Sequence, residues 1–388
     1  LSPHPQDRWS VIASAMLIGT ASLMILGIQP VLLGALTQEG RIGEAALGRL
    51  ATVEVLALAI GSALGVRVLR RGRIAAKVAL GCVLLALANA AIYVSHNPAM
   101  LYLTRGAAGL LEGFVLGAAI VVITHSRAPD RLNGLFLALQ TIPQAALAYA
   151  LPVTILPRYG ADGGFAVLAA LAAVSALSAF ALTERHPPVP EAAAEGGHPW
   201  RLPVVGVLIA ITLQNAAIGG AWDYAERIAA QYRLAPDLVG AALATSLMFQ
   251  VAGALVVAWC AWRLPFRIVT VVGPLCQALV IFVIATVPSL YVPATAMFGL
   301  FWLALSPFQV RLLIDMEPTR QAVLIATAIT LFGLSAGPFL ASWGVENGDV
   351  RGAFWIACGL MLAGAAIFAA SILASLRARA AAVPLPPG

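Results

Sequence analysis

Four acids and one arginine fall inside long apolar runs of this sequence: Glu54, Arg105, Glu112, Asp223 and Glu226. An isolated charge at mid-membrane costs about 2.5–3.5 kcal/mol or more unless it is paired or wetted, so each marks a candidate site. Arg105 and Glu112 are seven residues apart, which puts them on one face of a helix, two turns from each other. A carboxylate at such depth changes its protonation when an arginine partner arrives or leaves. A site that gains and loses that partner as helices rock would bind and release a proton. Glu54, Arg105 and Glu112 are therefore the first candidates for proton coupling, with Asp223 and Glu226 next. The alternative reading of the same three residues is a fixed buried ion pair that holds two helices in register.

Uncharged hydrogen-bonding side chains gather at the same depth. They are Gln29, Gln140, Gln144, Gln214, Asn215 and Gln250, accompanied by Trp222, Tyr224, Phe301 and Trp302. Amides and aromatic faces with few cations suit a neutral, amphipathic or cationic organic solute. A polyanion would need paired basic residues, and only Arg105 is at hand. Gln29, Gln214 and Asn215 are expected to touch such a solute, with Trp222 or Trp302 against its apolar part; the alternative is that these amides bond one another. No phosphate-binding loop, metal cluster or nucleophile–base pair stands out, so the expectation is no enzyme, no cofactor and no metal.

The elements that must position these groups follow from composition. Of 388 residues, 61% are hydrophobic and 10% charged, against roughly 25% charged in a soluble domain; the mean hydropathy is +0.92. Apolar stretches of about 20 residues, each able to cross a ~30 Å hydrocarbon layer, recur at 10–36, 46–68, 74–95, 99–124, 132–156, 164–182, 203–226, 238–261, 267–287, 289–313, 319–342 and 352–376. They are too long, and alternate too little, for barrel strands. The expected fold class is an all-α membrane protein of twelve transmembrane helices, in contact with lipid and monomeric.

The chain also repeats itself. Gly48, Gly61, Arg71 and Gly81 recur as Gly240, Gly253, Arg263 and Gly273, each pair 192 residues apart. Pro152, Tyr159-Gly160 and Gly164-Phe165 are echoed by Pro338, Trp343-Gly344 and Ala353-Phe354 at a drifting offset. The reading is two parallel six-helix repeats: a bundle over 1–182, a Pro-, Gly- and Glu-rich linker at 183–201, a second bundle over 202–376 and a tail at 377–388. Parallel repeats of this kind build a central site exposed to each side in turn. The net charge of +6 comes from arginines and lysines in the even-numbered gaps, such as Arg67, Arg70, Arg71, Arg73 and Lys77. That distribution is no nucleic-acid patch; it predicts that both termini are cytoplasmic. The four cysteines fall in or at the ends of apolar spans and read as small hydrophobes, not a disulfide framework.

Three motifs carry a resemblance. The loop after the second span holds Gly65, Arg70, Gly72 and Arg73, with Leu69 where an acid would stand. The fourth span holds Arg105, Gly109 and Gly113, and the eleventh Gly333, Gly337 and Pro338. Together with twelve spans in a six-plus-six repeat, the chain resembles the major facilitator superfamily. The resemblance implies a fold in which spans one, four, seven and ten line the cavity, supported by two, five, eight and eleven. It implies a secondary active transporter of a small organic solute; the intramembrane acids make protons the expected coupling ion, and the Ala-rich, compact chain points to a bacterial inner membrane. Uniport, sodium coupling, a transporter-like sensor and a lipid-handling protein are the alternatives.

Overall fold

The computed structural model describes residues 9–69, 72–126, 129–182, 201–260, 263–318 and 321–381. Arg70 of the loop motif, Arg71, the segment 183–200 and residues 382–388 lie outside them. The first six spans are α1 (Trp9–Gln38), α2 (Glu44–Leu69), α3 (Ile74–Ala90), α4 (Pro98–Thr124), α5 (Pro129–Ala150) and α6 (Leu156–Ser178). The second set comprises α7 (Leu202–Asp223), the short α8 (Ala225–Gln231), α9 (Pro236–Cys260), α10 (Phe266–Thr286), α11 (Tyr291–Ala304), α12 (Ser306–Met316), α13 (Gln321–Ser342) and α14 (Arg351–Ala381). Among the described residues the only strand-like feature is an isolated bridge between Glu346 and Asp349.

Among the described residues, eleven helical segments are long and apolar enough to cross a membrane. The count falls one short of twelve because spans five and six form a continuous helical segment, Arg131–Ala181. A π turn at Leu151–Ile155, which contains Pro152, joins α5 to α6. The direction changes at Gly160, whose φ of 60° and ψ of −162° suit a residue without a Cβ. The tenth span is likewise broken, at Leu305, with Pro307 in the first turn of α12. α4 starts with a side-chain cap: the Asn97 side chain accepts from the Met100 amide at 2.8 Å, with Pro98 next to it.

Burial separates central from peripheral helices. The most apolar windows of α1, α4 and α7 are 67%, 67% and 61% buried, whereas the other spans range from 31% to 44%. Along α1 the burial is graded. Leu17 is 42% exposed, while Met24 to Leu36 is almost wholly enclosed.

The two sets of spans meet through α2 against α13 and α5 against α9. These two seams are reciprocal. Gly48 on α2 rests on the backbone of Pro338 on α13, and Gly240 on α9 rests on Pro152 and the carbonyls of Ala148 and Tyr149. Gly48 and Gly240 are repeat partners, and so are Pro152 and Pro338. The same glycine–proline contact is thus made twice, as a pseudo-two-fold relation between parallel repeats requires.

Further cross-links gather at the end of the bundle that carries the loop after α1 and the segment around α8. Gln38 donates to Glu226 at 2.8 Å, Arg227 grips both Glu44 oxygens at 2.6–3.1 Å, and the Tyr224 hydroxyl donates to the Glu44 carbonyl at 3.0 Å. The Phe339 amide donates to Thr52 at 3.0 Å. We call this the sealed end. Arg67, Arg73, Lys77, Arg263, Arg267 and Arg311 lie toward the opposite, basic end, where Arg267 pairs with Asp315 at 2.8 Å.

Candidate functional site

In the first set of spans, small residues bring two backbones together before any charge is considered. Gly109 and Gly113 on α4 lie against the backbone carbonyls of Glu54 and Leu58 on α2, where any side chain would collide. That contact puts Glu54 beside Arg105, and the two form a wholly buried ion pair. The rest of the guanidinium is shared: it donates to Asn89 of α3 at 2.9 Å and stands 4.6 Å from the centre of the Phe165 ring of α6. Gln29 of α1 donates to the second oxygen of Glu54 at 3.2 Å. Glu112 lies at the edge of this group. One oxygen is 3.8 Å from the guanidinium and the other has no hydrogen-bond partner, although the residue is 2% exposed. Glu54, Arg105 and Glu112 are brought together, and Gln29 joins them.

The second set of spans presents aromatic rings instead. Trp222 of α7 stacks parallel to Phe298 of α11 with centroids 6.5 Å apart, and Trp302 meets both edge-on at 5.5 and 5.8 Å. The Trp222 indole N–H donates to the Leu26 carbonyl of α1 at 2.9 Å, joining the two sets near the middle of the bundle. Gln214 accepts from Gln309 of α12 at 2.7 Å, and Asn215 donates to its own helix at Ile211, 2.8 Å away. Gln250 has an amide nitrogen without a partner, and Gln140 an oxygen. Gln144 ties α5 to the Leu23 carbonyl at 2.6 Å. Asp223 is buried, whereas Tyr224 and Glu226 belong to the sealed end, apart from the Trp222 stack. Gly65 packs on Phe114 of α4, and Gly72 and Arg73 both have positive φ in the turn before α3.

Gln309 and Phe298 are not singled out by the sequence. Gln309 sits after the break at Leu305, where the periodicity of span ten restarts. Phe298 looks like any other lipid-facing aromatic until α7 is placed beside it.

The repeat sets the two groups in register. Gly61 packs on the Leu110 backbone as Gly253 packs on that of Leu300, and Gly109 on Glu54 as Gly299 on Ser246. Glu54 therefore corresponds to Ser246. With Gly109 corresponding to Gly299, Arg105 corresponds to Thr295 and Glu112 to Trp302. The charge cluster of one repeat is replaced in the other by a hydroxyl pair and a tryptophan.

This arrangement of parallel repeats recurs in solved structures. A point mutant of the nucleoside transporter NupG superposes with a TM-score of 0.73 over 93% of this chain and 99% of its own, at 12% identity. The chain has the major facilitator fold. A bacterial homolog of the human lysosomal transporter Spinster, in an inward-facing and unoccupied conformation, gives 0.67 at 12% identity over 98% of this chain and 96% of its own. A D-xylose-proton symporter gives 0.66 at 14% identity, over 92% and 97%. No protein-family model and no curated protein matches the sequence. The major facilitator fold accounts for the central burial of α1, α4 and α7 and for both reciprocal seams.

Proposed function

We propose that this chain is a secondary active transporter that moves a small organic solute across a bacterial inner membrane by alternating access, driven by protons. The observation that carries the reading is the buried Glu54–Arg105–Glu112 group with one unbonded Glu112 oxygen. A carboxylate so placed, beside an arginine already held by another acid, is suited to take up and release a proton as helices move. The absence of acid or arginine at the corresponding Ser246, Thr295 and Trp302 supports assigning ion chemistry to the first repeat.

The solute would lie between that repeat and the aromatic group of the second, over Trp302 and within reach of Gln214 and Asn215. The like-folded proteins named for a nucleoside and for D-xylose handle neutral, hydrogen-bonding solutes, which fits amides beside aromatic faces. With both termini cytoplasmic, the basic end faces the cytoplasm and the sealed end faces out.

The test is transport by purified protein in liposomes, using solutes selected by thermal shift from a metabolite library. Uptake should move protons with the solute, and Glu112→Gln should bind solute without accumulating it under a pH gradient. Accumulation by that variant equal to the parent's would overturn the coupling assignment. Flux without any ion dependence would indicate uniport, and binding without flux a sensor.

A further inference from the structure

Pro30 interrupts α1 within the most enclosed part of that helix and is itself buried. A proline has no N–H to give to the carbonyl four residues back, and its ring clashes with that carbonyl and tilts it off the helix axis. The carbonyl released in this way is that of Leu26. At membrane depth there is no bulk water to satisfy it, so a donor has to come from the protein. The donor is the Trp222 indole N–H of α7, 2.9 Å away and in the other set of spans.

An indole nitrogen is a donor only, and in Trp222, which is buried, that one donor is committed to Leu26. The same ring stacks on Phe298 and meets Trp302 edge-on. Stacking alone leaves a ring free to slide in its own plane, and the bond to Leu26 removes that freedom. The sequence register adds an independent observation. Pro30 and Trp222 are 192 residues apart, the offset that relates Gly48 to Gly240. One copy uses the position to free an acceptor, and the other uses it to supply the donor. Matched positions of two repeats come together only near the axis that relates them, where a parallel-repeat transporter has its central site. The adjoining turns of α1 are held from the first set of spans: Gln144 donates to the Leu23 carbonyl with its side chain against Gly27, and Gln29 donates to Glu54.

We propose that Pro30 is a positioning residue of the solute site: by withholding an N–H from Leu26 it provides the acceptor that orients Trp222 and ties the two repeats at mid-membrane. Its assignment to a solute site rests on the function proposed above. The bond between the repeats, and its origin in the proline, do not.

Nitrogen-15 NMR of the tryptophan indoles in the purified full-length protein tests this without any solute. The chain has eight tryptophans, and the resonance missing from Trp222→Phe is that of Trp222. In the parent its N–H should be protected from exchange with D2O. Pro30→Ala gives Leu26 a donor from its own helix. It should shift the Trp222 resonance and speed its exchange about fivefold or more, as expected for loss of one hydrogen bond. Pro30→Gly restores the same N–H and should do likewise, which keeps the test open if the Ala variant folds poorly. Pro274→Ala, inside α10, should leave the resonance unchanged. Spin labels at Gly40 and Arg233 give a second readout. Pro30→Ala and Trp222→Phe should each widen that distance, and the double variant should widen it no further, because both changes remove one bond. An unprotected Trp222 N–H in the parent, an unaltered resonance in the Pro30 variants, or additive widening in the double variant would overturn the assignment. Failure of the parent to transport would overturn the proposed function and leave these readouts as they are.

Discussion

Gly48 on α2 lies directly against the backbone carbonyl of Pro338 on α13, with no space for a methyl group between them. Its repeat partner Gly240 makes the mirrored contact with Pro152 of the π turn. Forcing a side chain into either seam should part the repeats at the sealed end. Overpacking of this kind costs about 1–3 kcal/mol. We expect Gly48→Leu and Gly240→Leu to widen the distance between spin labels at Gly40 and Arg233, by similar amounts because the two contacts are related by the pseudo-two-fold. No change in either variant would mean the seams yield without opening.

Arg105 is held by Glu54, Asn89 and the Phe165 ring, with no exposed surface. Removing the cation alone leaves a buried carboxylate uncompensated, which costs about 3–5 kcal/mol. Arg105→Ala should therefore lower the melting temperature sharply. The double variant Arg105→Met with Glu54→Leu should recover most of the stability and none of the proton-driven accumulation. Thermal unfolding in detergent, read beside transport in liposomes, separates the two roles.

Glu112 differs from Glu54 in being 3.8 Å from the guanidinium and in having one oxygen unbonded. Glu112→Gln should be nearly neutral in stability, while proton-driven accumulation is lost. Glu54→Gln, which removes the closer partner of Arg105, should lose both. Equal melting temperatures for the two variants would contradict this ordering.

Gln214 and Gln309 satisfy each other across α7 and α12 at 2.7 Å. Gln214→Ala strands the Gln309 amide and should cost about 1–3 kcal/mol. If Gln214 also meets the solute, affinity falls by a comparable tenfold to hundredfold. Asn215→Ala, whose amide returns to its own helix, should change affinity more than stability. Lowered stability with unchanged affinity in both variants would leave these amides as helix-to-helix ties.

A cysteine at Gly196, between the two sets of spans, should be labelled by an impermeant reagent only from the cytoplasmic side. Labelling in intact cells from outside would reverse the orientation and make the sealed end cytoplasmic.

The spans are legible because a bilayer accepts only long apolar helices, and Gly48, Gly61, Gly240 and Gly253 expose the repeat. Glu54, Arg105 and Glu112 can be named, and their pairing anticipated, from depth and spacing alone. Their further partners, Gln29 and the Phe165 ring, cannot be. Whether Gln29 turns toward a solute or toward Glu54 depends on the rotation of α1, which its nearly uniform apolarity leaves unmarked. The Arg227–Glu44 pair joins residues 183 positions apart, which nothing in the local sequence links. The match of Glu112 to Trp302 is hidden for another reason. The offset of 192 holds for α2 and α9 but slips to 190 between α4 and α11, so the two residues never align in a rigid slide of the sequence.

That match bears on how such a chain changes over generations. The two repeats carry different side chains at matched positions, acid and arginine in one and hydroxyl and indole in the other. Under the proposed assignment, altering Trp302 or Phe298 would retune which molecule is accepted while leaving the energy source intact. Altering Glu112 would switch the fuel and spare the cargo. Recognition and power supply would then be inherited as separate traits, each adjustable without rebuilding its counterpart.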